Sequence, residues 1–449
     1  MSLELLSLKG GRPTRISLTE SVFHLLITGK TGCGKSALAV QTLIDSMIAG
    51  MPVSALDVTK PDGSGTFSFV HYIGGRYQDL RRGGNPLEPP DVRYCADDQE
   101  RQEKLAQFRQ SVAGLLLAMT ISPQESDADI VHALVYRVVS AFYDDVSIAQ
   151  RWQQAIEAGL GTSAWEEQPT LRDMVNYFSP ERLQMKRYGE RIREVSARML
   201  LKLEGWLNRP LGESLCIPRQ YEDNHLCVIY PLQSLDTDEA PVVAQRILNE
   251  ITRKSLNYRN SVVFLDEAPI LLQHDAIAAT VAQIISKGRK DGTRMLIATQ
   301  GPDAIQRSPF RAQILDNISV RLIGVIEESS VTDYENIFRY PRELLIPCSE
   351  RGFYPSRQLI CSHWLVDNRG ILTPSRFFVN YLTLALCANQ VEEVAARDRL
   401  LASFPEDAIT AFTTFAHLLK LSFRSGQSIE RLVDDWIAAH VPKPLIQMP

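Results

Sequence analysis

The chain has 449 residues, 45% of them hydrophobic, with 48 Lys and Arg against 53 Asp and Glu and a formal net charge of −5. That length admits two or three domains, or one large domain with an insertion, and burying a sizeable core is no difficulty. The acidic balance gives no general reason to expect a nucleic-acid binder, no apolar run reaches the about 20 residues that span a bilayer, and no signal-peptide pattern opens the chain.

The expected location is therefore the cytoplasm, with any membrane association through partners. The cysteines at positions 33, 95, 216, 227, 348, 361 and 387 form no C-x-x-C pair and read as reduced packing residues. The histidines show neither H-x-x-x-H nor a spacing with cysteine that suggests zinc. Two local basic clusters stand out, Arg81-Arg82 and the stretch 287–290, the first reading as a solvated loop.

Residues 1–20 alternate apolar and polar around Gly10-Gly11, which predicts a short hairpin entering a sheet. Residues 23–27 read as a buried strand and lead into Gly29-Lys30-Thr31-Gly32-Cys33-Gly34-Lys35-Ser36, a match to G-x-x-x-x-G-K-[ST]. Ala37, Val40, Ile44 and Met47 then show helical spacing up to Gly50, a good helix stop. Strand, glycine loop and helix come in the order a phosphate cradle requires. The glycines let backbone N–H groups turn inward around a diphosphate, and the helix adds its positive amino end. Lys35 is placed to reach the β- and γ-phosphates, and the Ser36 hydroxyl to complete a Mg²⁺ shell.

Residues 53–58 form the next predicted strand, ending in the polar turn Asp57-Val58-Thr59-Lys60-Pro61-Asp62-Gly63. Ligands collect at such carboxyl ends in parallel sheets. Pro and Gly break regular structure over 74–90, and 92–95 reads as one more short strand. From Asp97 the character becomes helical. Ser122-Pro123-Gln124-Glu125 has the form of a capping box before a helix with the face Ile130, Leu134, Val138 and Phe142. Another helix starts near Thr170, and 181–204 reads as a long charged helix.

Strand signals return only after residue 210. Continuous apolar runs at 226–230, 262–265, 295–298 and 320–326 have the composition of strands buried on both faces, with a helix over 242–256. Residues 359–366 and 376–381 flank Asn368-Arg369-Gly370 as a hairpin, and the pattern from 389 is helical to a close at Pro442 and Pro444. The expected fold is α/β, with a mostly parallel central sheet flanked by helices. Residues 1–96 and 211–388 would be its two parts, 97–210 an all-helical insertion and 389–449 a C-terminal helical segment.

Three more groups carry chemistry. The run 262–265 delivers Asp266-Glu267 to a strand's carboxyl end, where Asp266 can hold the Mg²⁺ shell and Glu267 can accept a proton from an attacking water. A second run ends in Thr299-Gln300, and a glutamine beside a γ-phosphate can orient water. Arg289 lies between the two and could serve a neighbouring subunit by neutralising transition-state charge, with Arg294 as its competitor. No Asn-Lys-x-Asp element for reading guanine is present, which favours ATP over GTP, and no Ser-Gly-Gly-Gln transporter signature occurs.

These motifs, in this order, resemble the RecA-like ATPase domain of conjugative type IV secretion ATPases, the VirB-four/TraC class within the HerA/FtsK superfamily. The first nucleotide motif is similar to 29–36, and the second to 263–268. Gly74-Gly75 with Asn85-Pro86-Leu87 resembles the family's GG…NP element, and Pro169-Thr170-Leu171-Arg172-Asp173 a short motif of its helical insertion. Gly288-Arg289-Lys290 and Ala298-Thr299-Gln300 are similar to the arginine and TQ motifs, and 351–393 to the closing strands and helices.

The resemblance implies Arg289 as the arginine finger, a hexameric working ring, and ATP hydrolysis at the cytoplasmic base of a secretion apparatus, driving pilus biogenesis and substrate transfer. Members usually carry a large N-terminal docking domain before the loop. Here the loop begins at Gly29, so the expectation is that this domain is encoded separately or that the protein works differently. Two other readings stay open: a DNA-translocating motor or coupling protein, which the charge does not call for, and a nucleotide-gated scaffold without turnover, against which Glu267 counts.

Overall fold

The computed structural model describes residues 2–8, 13–17, 22–57, 70, 73–121, 126–179, 181–183, 189–232 and 239–440. Its strands are β1 (Ser2–Ser7), β2 (Thr14–Ser17), β3 (His24–Thr28), β4 (Val53–Asp57), β5 (Arg76–Tyr77), β6 (Cys227–Pro231), β7 (Ser261–Leu265), β8 (Thr293–Thr299), β9 (Ile318–Ile323), β10 (Cys361–Asn368) and β11 (Ile371–Phe378). They form one sheet in the order β2-β1-β11-β10-β9-β3-β8-β7-β4-β6-β5. From β9 to β5 the pairing is parallel, and β10, β11, β1 and β2 make an antiparallel wing.

The apolar runs are continuous because both faces of the parallel block are covered. Alternate residues of each strand enter opposite cores. Leu26, Leu56, Val263, Leu265, Met295 and Ile297 face one, and Leu25, Ile27, Ala55, Phe264, Leu296 and Ala298 the other. Each such side chain contributes about 1.5–3 kcal/mol when fully buried. The helix Lys35–Ile48 and the C-terminal helices pack on the second face.

The first face is covered by the helices Asp98–Thr120, Ala240–Leu256 and Asp275–Asp291, with the rest of the helical segment stacked beyond them. No strand occurs among the described residues between 97 and 210. Asn85 ties this layer to the sheet domain. Its Nδ2 donates to Pro169 O (2.6 Å) and Gln168 Oε1 (3.1 Å), and its Oδ1 accepts from Leu87 N–H. The Asn-Pro element and the Pro-Thr-Leu-Arg-Asp element are thus joined directly. Thr170 opens the helix Leu171–Val175 with a capping box completed by Asp173.

Several boundaries differ from the sequence expectation. Residues 92–95 form a turn, and the extra strand is β5, two residues long and invisible to any periodicity. β11 begins at Ile371 rather than 376. Pro374 disguised it, and the β1 ladder starts only at Ser375, one residue past the missing N–H. The charged helix spans Glu190–Leu207, later than read. Gly10-Gly11, the polar turn after Asp57, the capping box at 122–125 and the two closing prolines lie outside the described residues.

Candidate functional site

The loop 29–36 leaves the carboxyl end of β3 and enters the helix Lys35–Ile48. Gly29, Gly32 and Gly34 have φ of 151°, 81° and 99°, so the turn needs the freedom that glycine gives. At Gly34 the need is doubled, because a Cβ there would lie 2.9 Å from Ser362 Cβ on β10. The loop is anchored by Gly29 N–H to Thr299 O (3.3 Å), the last residue of β8, and Lys30 N–H to Val325 O (2.7 Å), two residues past the end of β9.

Within the loop, Lys35 Nζ donates to Gly29 O (2.5 Å) and Lys30 O (3.0 Å). Thr31 and Gly32 are exposed, and the Ser36 hydroxyl makes no hydrogen bond among the described residues. Cys33 is 1% exposed and wedged under the turn, with Gly29 and Gly324 against its Sγ. Burial pushes its thiol pKa up. It fills space, as the scattered cysteines suggested. Lys30 points the other way, paired with Glu327 (2.5 Å) and donating to Tyr354 OH (3.2 Å).

β8 separates β3 from β7, and all three run parallel, so their carboxyl ends share one edge. That edge carries Lys35, Gln300, Asp266 and Glu267 together. Burial, and then the charge of Glu267, push the Asp266 carboxyl up to about 6, while Lys35 pulls the other way. A half-buried carboxylate that makes no ion pair among the described residues, on the same sheet edge as the loop whose Ser36 hydroxyl is unbonded, is an oxygen donor set that fits a hard divalent ion with phosphate and water.

Glu267 adopts φ 46° and ψ 44°, a left-handed conformation rare outside glycine and costing about 1 kcal/mol or more. Gln300 Nε2 donates to its Oε1 at 3.1 Å. The strained backbone and this bond hold the carboxylate at the edge.

Asp57 was noted only as the start of a polar turn. It is 2% exposed at the end of β4, beside β7, and accepts from Tyr77 OH at 3.2 Å. Burial and the neighbouring Asp266 push it up to about 7. The signal for it was present, a carboxylate closing an apolar strand, but its pairing with β7 was not readable.

The two arginines part company. Arg294 is 2% exposed at the start of β8, donating to Gly292 O (3.0 Å), which removes it from competition. Arg289 is exposed in the last turn of Asp275–Asp291. Its neighbour Gly288 packs on His24, the first residue of β3, so Arg289 stands at the amino edge of the sheet, away from its own chain's loop.

Among solved structures, VirB4 of Thermoanaerobacter pseudethanolicus matches with a TM-score of 0.58 at 14% identity, over 84% of this chain and 96% of that one. The unbound bacterial conjugative coupling protein TrwBdeltaN70 gives 0.50 at 12% identity over 80% and 84% of the two chains. TrwB with the non-hydrolysable GTP analogue GDPNP gives 0.50 at 12%, over 80% and 85%. The chain shares their RecA-like P-loop fold, a large, mostly parallel sheet flanked by helices. By sequence, no family model and no curated protein matches it.

Proposed function

We propose that this protein is an ATPase that powers a conjugative type IV secretion apparatus, splitting ATP in the presence of Mg²⁺. The observation that carries the reading is the meeting of the lysine loop, Gln300 and the acidic pair at one edge of the sheet, although some lie more than half the chain apart in sequence. The triphosphate analogue named with the TrwB structure of the same fold supports a nucleoside triphosphate as ligand. The apparatus is suggested by the fold shared with VirB4.

In this reading the N–H groups of residues 29–34 cradle the β-phosphate and Lys35 leaves the carbonyls of Gly29 and Lys30 for phosphate oxygens. Ser36 and Asp266 would hold Mg²⁺, which supplies charge neutralisation between the phosphates. Glu267 takes a proton from the attacking water, and Gln300 fixes both the carboxylate and that water. Arg289 would act on a neighbouring copy in a ring, hexameric as in the family resembled. Other secretion components, including a separate docking partner, and a cytoplasmic site at the inner membrane face complete the proposal.

Phosphate release from wild type, Lys35→Ala and Glu267→Gln tests it. Lys35→Ala is expected to lose nucleotide binding. Glu267→Gln is expected to keep it while turnover drops about 10²–10⁴-fold, the usual worth of a general base. Equal rates in all three would end the claim. Turnover that rises on adding DNA would instead favour the translocating-motor reading.

A further inference from the structure

The Arg289 side chain is exposed and makes no ion pair or hydrogen bond among the described residues. A guanidinium that acts across a subunit boundary must leave from a fixed backbone, since a misplacement of about 1 Å can cost about 10²-fold in rate. The turn that carries it is fixed from two strands by glycines. Gly292 closes the helix Asp275–Asp291 at φ 76° and donates its N–H to Gly288 O, and a Cβ there would collide with Arg259 O, two residues before β7. Gly288 is buried against the first residue of β8, where a Cβ would lie 3.0 Å from Thr293 O and 3.6 Å from His24 Cε1.

His24 completes the seat from β3. Burial, aided by the charges of Arg289 and Arg294, keeps its ring neutral, and Nδ1 accepts from Met295 N–H at 3.1 Å. A neutral imidazole with Nδ1 as acceptor carries its proton on Nε2. That Nε2 is buried, makes no full hydrogen bond among the described residues, and faces the Ile285 carbonyl. In an α-helix the same carbonyl accepts from the N–H four residues on, which here belongs to Arg289. One nitrogen of the ring therefore completes the sheet, and the other reaches the turn that bears the arginine.

We propose that His24 is a positioning residue for Arg289: set between β8 and the Ile285 carbonyl, it holds the last helical turn against the sheet, so that the guanidinium projects from a fixed point toward a neighbouring copy. This rests on the reading of Arg289 as acting in trans. His24 touches no substrate. Because β3 also leads into the phosphate loop, an effect carried along the strand would weaken nucleotide binding, whereas one carried through Arg289 would not.

The experiment measures turnover per subunit against protein concentration, with native mass and ATP affinity alongside. The chains compared are wild type, His24→Asn, His24→Gln, Gly288→Ala, Arg289→Ala and the double variant His24→Asn/Arg289→Ala. Asparagine keeps an acceptor for Met295 N–H and is too short to reach the helix, while glutamine restores the reach. His24→Asn and Gly288→Ala are expected to bind ATP within about twofold of wild type and to lose about 10²-fold of the rise in turnover at equal native mass. His24→Gln is expected to keep that rise within about tenfold, and His24→Asn to add nothing to the loss already caused by Arg289→Ala. A rise retained by His24→Asn, a matching loss of ATP affinity, or losses that multiply in the double variant would overturn the assignment. If Arg289→Ala itself retains the rise, the trans-arginine reading fails, a result distinct from failure at His24 alone.

Discussion

At the scale of single residues, position in the sheet decides what each side chain can do. Gly34 has φ 99° and faces Ser362 across 2.9 Å of would-be Cβ contact, so Gly34→Ala strains the backbone and pushes the loop off β10. The expected outcome is a loss of about 1–3 kcal/mol in urea denaturation together with nucleotide affinity at least about tenfold weaker. His24 gives a pH effect with a definite sign. It is fully buried, its Nδ1 accepts from Met295 N–H at 3.1 Å, and burial pushes its pKa from 6.5 down to about 4, helped by Arg289 and Arg294. The unfolded chain binds that proton first, so the contribution of His24 is flat above about pH 6.5 and falls as pH drops toward about 4, by roughly 3 kcal/mol in all, while the raised carboxyls of Asp57 and Asp266 act with the opposite sign over the same range. Denaturation series of wild type and His24→Gln at several pH values check this through the difference between the two, which is expected to change by that amount over the range. Of the candidate site, Lys35, Ser36, Asp266, Glu267 and Gln300 could be singled out in the sequence because each closes an apolar run or a glycine motif. Asp57 was not recognised, since nothing in one dimension says that β4 lies beside β7.

At the scale of elements, the helix Ala240–Leu256 is the least expected. Its spacing suggests one apolar face, yet almost every residue is buried, charged ones included. Arg253 Nη2 lies 2.6 Å from both Glu250 and Asp223, and Nη1 3.3 Å from Glu88, which also pairs with Arg219 at 2.9 Å. The surrounding cations hold Glu250 well below the usual carboxylate range despite burial. Such a network stabilises little relative to an apolar core but punishes the loss of one member heavily. Arg253→Ala is therefore expected to cost about 3–5 kcal/mol, read by thermal or urea denaturation, while Arg253→Met costs no less because the carboxylates remain. Polar residues inside a helical pattern read as solvent-facing until the helices packed over them are known. The same blindness hid β5 and delayed β11, where two residues or one proline left no period to detect.

At the scale of the whole molecule, the parallel block was readable because burial on both faces forces unbroken apolar runs, and the helical layer because its strand signals vanish together. The strand order, which brings β3, β8 and β7 side by side, was not, since it is set by crossovers that leave no local mark. The arrangement of Arg289 belongs to this scale. It lies at the amino edge while the loop lies at the carboxyl edge, so one chain alone cannot bring the two together. Turnover per subunit is expected to rise with protein concentration as copies associate, by about 10³-fold or more if the arginine then reaches a neighbour's phosphates. Arg289→Ala is expected to remove that rise and leave ATP affinity intact. Turnover that stays constant while native mass increases would contradict it.

The wedge of Cys33 beneath the turn has a practical sequel. Its sulfur is sealed by Gly29 and Gly324 and can meet an alkylating reagent only when the cradle lifts away from β9. The rate at which iodoacetamide labels this position therefore clocks the opening of the cradle, and a nucleotide that clamps it shut slows the labelling without any dye having been attached.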